Sequence, residues 1–339
     1  MSTNDLQPLT PEKAKEMYLR ERKGEVSDRT LQAHHYRLVH FIRWSEKNGI
    51  ENMNDLTGRD IHEFRLWRKD DGDLNAVSLQ TQIQTLRVFL RFCESIDGVR
   101  EGLSEKVRMP TVSSSEERSQ EMLSAERAEN LLQYLRRFEY ASRFHVVVEL
   151  LWHTGIRMGA LHALDVGDFY PQDAYLEVEH RPETDTALKN GTEGERYVGL
   201  SLDVCETVSD WIEQTRPDVT DEHGREPLIA TRHGRIAKSS IRAIVYNVSR
   251  PCYYADECPH GREIETCEAT EQSHHSRCPT GVSPHAIRRG SITHHLTNDV
   301  PEKVVSDRMN VSADVIDKHY DQRSEEVKVE QRREFIDGI

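Results

Sequence analysis

Apolar residues recur at helical spacing through the first third of the chain. Behind Ser27, a residue type that caps helices, come Leu31, Leu38, Phe41 and Ile42 on one face. Thr57 precedes a second helix carrying Ile61, Phe64 and Trp67. Ser78 opens a third, with Leu79, Ile83, Leu86, Leu90 and Cys93 at i, i+4, i+7, i+11 and i+14. The pattern predicts a small all-α domain over residues 8–109. Arg65, Arg68, Arg87 and Arg91 lie on or beside its polar faces, as solvated charge or as contacts to an anionic partner.

The period then breaks. Met109-Pro-Thr-Val-Ser-Ser-Ser-Glu-Glu117 combines proline, a serine run and charge, so residues 110–120 read as a linker. A second domain spans residues 121–339. Ser124 heads a helix with Leu131, Leu132 and Leu135, and another runs through Phe144, Val147, Leu150 and Leu151 to Thr154-Gly155. Ala174–His180 and Glu195–Leu200 have strand character. Between them, Lys189-Asn190-Gly191 predicts a tight hairpin turn, because Asn-Gly tolerates positive φ. Helices resume at Leu202–Gln214 and Ser239–Val248, and Asp321–Ile339 is helical in character, with Val327, Val329 and Phe335 as candidate anchors. The expected class is mainly α with a small antiparallel sheet.

Composition changes the picture in two ways. The net charge is −14, and only eleven of the 45 basic residues are lysine. Acidic, arginine-rich and lysine-poor surfaces suit a salt-rich cytoplasm, as in halophilic archaea, where salt screens self-repulsion. A local basic site can sit within such a surface, so the acidity does not exclude nucleic acid. No run of sixteen apolar residues and no basic-then-apolar leader occurs, so a cytoplasmic protein without membrane spans is expected.

The chemistry concentrates in three places. Thr154-Gly-Ile-Arg157 supplies one arginine; His285-Ala-Ile-Arg288 sets a histidine and a second arginine three apart, on one helix face; Tyr320 follows near the C-terminus. Attack on a phosphodiester needs a nucleophile, compensation for charge on the phosphate oxygens, and a proton for the leaving oxygen. Arginine binds two phosphate oxygens at once and stays charged, which makes Arg157 and Arg288 a candidate clamp. A phenol beside cations gives up its proton readily, which makes Tyr320 a candidate nucleophile. No glycine-rich phosphate loop is present, so neither ATP nor a catalytic metal is signalled.

The chain resembles the tyrosine recombinase (phage integrase) family over most of its length. The resemblance rests on Thr154–Arg157, His285–Arg288 and the late Tyr320, in that order after an α-helical domain. It implies an N-terminal helical, SAM-like core-binding domain and a catalytic domain that together clamp duplex DNA. Tyr320 would form a 3′-phosphotyrosyl link, His285 would orient the phosphate and help move the phenolic proton, and Lys189 would act as general acid. It also implies a homotetramer on paired DNA sites. Two positions depart from the family pattern. Ala160 stands where a glutamate is usual, and the family's Leu-Gly-His segment reads Met309-Asn310-Val311, with Asn310 the nearest counterpart of the histidine as a phosphate donor. Other readings of the same residues are a non-catalytic DNA-binding regulator and a tyrosine-type topoisomerase.

Cysteine usage adds one feature that the resemblance does not supply. Cys93 and Cys205 read as core thiols, whereas Cys252, Cys258, Cys267 and Cys278 fall within the polar insert 252–278. Four thiolates suit tetrahedral zinc, and a long polar loop needs something to order it. A structural zinc site is therefore expected, with His260, His274 or His275 as substitute ligands.

Overall fold

A computed structural model describes residues 6–112, 121–321 and 323–336. The chain divides into two units, Met1–Ser119 and Gln120–Ile339. Residues 113–120 of the expected linker, and the side chain of Phe335, lie outside what is described.

Among the described residues the first unit holds four α-helices: α1 (Pro11–Arg22), α2 (Asp28–Lys47), α3 (Gly58–Asp71) and α4 (Ala76–Ser95). Helix α1 is one more than the apolar period predicts. It begins where Thr10 accepts a bond from the Lys13 amide at 3.2 Å and Pro11 takes the first helical position, and it buries only Pro11, Ala14 and Tyr18. Ser27 caps α2, and Thr57 with Asp60 forms a capping box before α3. The third cap differs from expectation. Asn75, not Ser78, caps α4 by accepting from the Ser78 amide at 2.8 Å, which puts Ser78 in the first turn. Tyr18, Phe41, Phe64 and Phe89 fill the centre of this unit, each no more than 1% exposed. Arg68 also differs, being buried with its nearest ionic partner, Asp71, at 3.6 Å.

The second unit is built around α6 (Arg143–Thr154), which is buried on nearly every side by Val146, Val147, Val148, Leu150 and Leu151. Against it pack α5 (Ala125–Phe138), α9 (Lys238–Val248) and α11 (Pro284–Thr297). The short α7 (Met158–Ala163) follows it, α8 (Leu202–Asp210) precedes α9, and α10 (Pro251–Tyr254) opens the cysteine-rich segment. Strands β1 (Phe169–Tyr170), β2 (Tyr175–Val178) and β3 (Arg196–Gly199) form an antiparallel sheet in that order. A second pair, β4 (Ala230–Thr231) and β5 (Gly234–Arg235), is also antiparallel. Cys93 and Cys205 are buried, as expected of core thiols.

The turn between β2 and β3 is not the tight one that Asn-Gly suggests. Val178 pairs with Arg196, which leaves residues 179–195 as an excursion with two short 3-10 turns. Asn190 keeps a negative φ of −106°, so of the Asn-Gly pair Gly191 alone, at 59°, is left-handed. Arg181 holds the base of the excursion through bonds of 2.9 and 2.6 Å to Asp168.

After α11 the chain forms α12 (Glu302–Met309), a wide turn over Ile316–Tyr320, and α13 (Glu325–Ile336). Ile292, Leu296, Val305, Met309, Val311, Ile316 and Tyr320 make a small core of their own, separate from the main one. Gln331 ties α13 back to the Leu296 carbonyl at 2.7 Å. No helix among the described residues is long and apolar enough to cross a membrane.

Candidate active site

The site begins at the end of α6. Gly155 closes the helix in the left-handed conformation, φ 59°, which glycine adopts most readily. A side chain there would also meet Met309 Sδ at 2.5 Å. The turn delivers Arg157 to the cap of α7, half-buried and with no side-chain hydrogen bond recorded among the described residues.

Helix α11 supplies the opposite wall. Ser283 caps it by accepting from the Ala286 amide at 3.3 Å, and Pro284 takes the first position. His285 therefore lies in the first turn and Arg288 one turn later, on the same face. Arg288 is 1% exposed. Its Nη1 donates to the Gly155 and Met309 carbonyls at 2.6 and 2.8 Å, while Nε and Nη2 are buried without a partner. Buried donors are normally satisfied, and Tyr320 is near enough to interact with this guanidinium without a well-formed bond to either group, so both N–H groups have capacity for a further acceptor.

Tyr320 faces this arginine. Its ring lies 5.7 Å from the Arg288 guanidinium and 5.9 Å from that of Arg289. Its Oη is 3.3 Å from His285 Nε2. Its backbone is fixed by α11, since Thr293 Oγ1 donates to the Tyr320 carbonyl at 2.7 Å and Arg289 Nε to that of His319 at 3.2 Å.

The charges are one-sided. Burial and the neighbouring Arg157 push the Arg288 pKa down to about 10. Burial, with Arg288, Arg157 and Arg308 nearby, does the same for Arg196, also to about 10. His285 is held at about 4 by burial and then by Arg289, Arg288, Lys189 and Arg157. The ring is exposed at its surface, so the four cations act on it alongside burial. Like charges crowded in this way are costly unless an anion joins them. A phosphodiester is such an anion.

Lys189 lies on the exposed excursion between β2 and β3, close enough for its charge to act on His285. The structure thus brings Arg157, Lys189, His285, Arg288 and Tyr320 to one centre. Asn310 is left-handed, φ 49° and ψ 66°, and ends α12. Val311 after it is buried. The Asn310 amide donates to the Glu193 carbonyl at 3.1 Å and accepts from Asn190 Nδ2 at 2.9 Å. Ala160 is buried, so no carboxylate stands at that position.

Arg196 and Arg308 are additions that the sequence reading missed. Arg196 Nε donates to the Arg308 carbonyl at 2.8 Å, and Arg308 donates to the Gly199 and His153 carbonyls at 2.6 and 3.0 Å. For Arg196 a signal existed, because strand alternation puts it on the same face as buried Val198.

The four clustered cysteines are half-buried free thiols. Burial raises the Cys252 thiol, with smaller contributions from Cys278 and Cys258. No three of the four sulfurs lie within 4.8 Å of one another, so the thiols are near neighbours but not gathered at the spacing of a tetrahedral centre. His260, His274 and His275 bond instead to Thr280, Glu271 and the Ala269 carbonyl.

Comparison with known proteins agrees with the architecture. Residues 16–95 match the phage integrase N-terminal SAM-like domain, and residues 121–326 match the phage integrase family. The chain is 21% identical to the tyrosine recombinase XerC of Natranaerobius thermophilus, over 82% of this chain and 83% of that protein. Among solved structures it is similar to the Tn1549 transposon integrase in complex with a circular intermediate DNA, with a TM-score of 0.66 at 15% identity, covering 96% of this chain and 99% of that one. It is also similar to a lambda integrase tetramer bound to a Holliday junction, with a TM-score of 0.63 at 17% identity, over 90% and 78% of the two chains.

Proposed function

Because the chain belongs to the phage integrase family, we propose that it cuts and rejoins duplex DNA at specific sites through a 3′-phosphotyrosyl intermediate. The observation that carries this reading is a cluster of cations with a phenol at its edge. Arg288 offers two unpartnered buried N–H groups, Arg157 adds a second guanidinium, and Tyr320 Oη stands 3.3 Å from His285 Nε2.

In the proposed step the scissile phosphate enters between Arg157 and Arg288. Neutral His285 takes the phenolic proton, Tyr320 Oη attacks phosphorus, and the P–O5′ bond breaks. Lys189 gives its proton to the departing 5′ oxygen. A partner strand's 5′ hydroxyl reverses the step, so no ATP is consumed. Paired sites imply four protomers, the arrangement of the lambda integrase complex. The four-cysteine segment is proposed to bind one structural zinc, its separated thiols drawing together on the ion, and so to brace the approach to Ser283 and α11.

The test is covalent trapping on nicked duplex pools in molar KCl. Wild type should leave protein linked to DNA after denaturation, and Tyr320→Phe should leave none. Specific DNA binding without an adduct would favour a non-catalytic regulator. Strand relaxation without a preferred sequence would favour a topoisomerase.

A further inference from the structure

The proposed general acid lies on an exposed excursion, yet it must meet the leaving oxygen within hydrogen-bond reach. Leu188 is buried just before it, but Lys189 and Asn190 are themselves exposed. Polar ties to the segment that leads into Tyr320 hold the turn that follows Lys189. Asn190 Nδ2 donates to Asn310 Oδ1 at 2.9 Å, and Asn310 Nδ2 donates to the Glu193 carbonyl at 3.1 Å. One side chain thus grips both ends of the 190–193 turn. Close by, Arg196 Nε reaches the Arg308 carbonyl at 2.8 Å. The approach is tight, because a Cβ on Gly194 would come within 3.3 Å of Asn310 Nδ2 and of Leu188 Cβ. On its other side the same junction is gripped from the clamp, where Arg288 Nη1 donates to the Met309 carbonyl at 2.8 Å.

We propose that Asn310 is a positioning residue that couples the Lys189 turn to the Tyr320 segment, so that acid and nucleophile are set by one amide. This inference rests on the recombinase reading for its chemistry, though not for its geometry. Its left-handed backbone and its bidentate side chain are separable. Glycine keeps the first and removes the second, so Asn310→Gly isolates the amide.

Two measurements decide it. The first is hydrogen exchange on the intact protein. In Asn310→Gly, amides of residues 187–195 should lose protection while those of α11 keep theirs. Unchanged protection of 187–195 would overturn the coupling, whatever the protein does to DNA. The second compares an ordinary nicked duplex, bearing the sequence recovered by trapping, with one whose bridging 5′ oxygen is sulfur. A thiolate leaves without a proton, so the acid becomes dispensable. On ordinary DNA, Asn310→Gly should cleave about 10- to 100-fold more slowly than wild type. On the sulfur-bridged duplex it should return to within about twofold of wild type, as should Lys189→Ala. If Lys189→Ala is rescued and Asn310→Gly is not, Asn310 acts elsewhere and the inference fails. If wild type leaves no adduct on either duplex, the recombinase reading fails, and the exchange result still judges the coupling.

Discussion

Residues 255–281 and 284–311 adjoin each other and are nearly equal in length, yet they are held in opposite ways. The first buries a single apolar side chain, Ala269, and is otherwise polar turns. The second buries Ala286, Ile287, Ile292, Leu296, Val305, Met309 and Val311, and carries the clamp arginine among them. The difference shows what each segment needs. Packing sets the geometry of α11 and α12 without help. A long polar segment has too little burial to offset its ordering entropy, so an external staple, the proposed zinc, is the consistent way to hold it.

The sharpest way to break this comparison is Arg288→Met. Cleavage should fall on the order of 10²–10³-fold, the usual cost of losing one preorganised charge contact. The melting temperature should hold or rise, because the change removes a buried cation with two unsatisfied N–H groups beside Arg157. A drop of several degrees would instead make Arg288 part of the packing that holds α11.

The next effect concerns the polar segment. Purified protein should contain one zinc per chain by elemental analysis. Chelation should open residues 255–281 to protease while α11 stays protected. Metal-free protein with an unchanged digestion pattern would remove the staple and leave the contrast unexplained.

The smallest effect is the titration of His285. Its pKa of about 4 lies below the ordinary value near 6.5, so charging the ring opposes folding. Its contribution to stability is intact above pH 6.5 and declines as the pH falls toward 4. Histidine NMR should place the midpoint near 4 in the free protein and higher once DNA supplies a phosphate. A free-protein midpoint at 6.5 would mean that neither burial nor Arg289, Arg288, Lys189 and Arg157 govern the ring.

Much of the fold was legible in the chain because caps and apolar periods are local. Ser27, Thr57, Ser124 and Gly155 mark element ends where the sequence placed them. Helix α1 escaped because its buried face is small, although Thr10-Pro11 was a readable start. The Asn-Gly signal failed because sheet register, a non-local property, pairs Val178 with Arg196 and leaves residues 179–195, not two residues, to join the strands. Arg157, Arg288, Tyr320 and Lys189 stand out in the chain by their chemistry and by resemblance. Asn310 fits a phosphate donor by residue type, whereas its bonds to Asn190 and Glu193, 120 and 117 positions away, are not legible in the chain. Arg308 was invisible for the same reason, since one of its partners is the carbonyl of His153, 155 positions away.

The separate small core around Tyr320 has a consequence for how the protein fails. Sub-global openings follow cooperative units, and this unit holds the phenol and the Met309 carbonyl that anchors Arg288. When it opens, the proposed nucleophile and one prop of the proposed clamp should leave together, while the main core around α6 stays folded. Such a chain would keep its bulk structure but lose the proposed means to break a strand. Heat should therefore silence the protein before it melts it, so that damage ends in an inert scaffold rather than a loose nuclease.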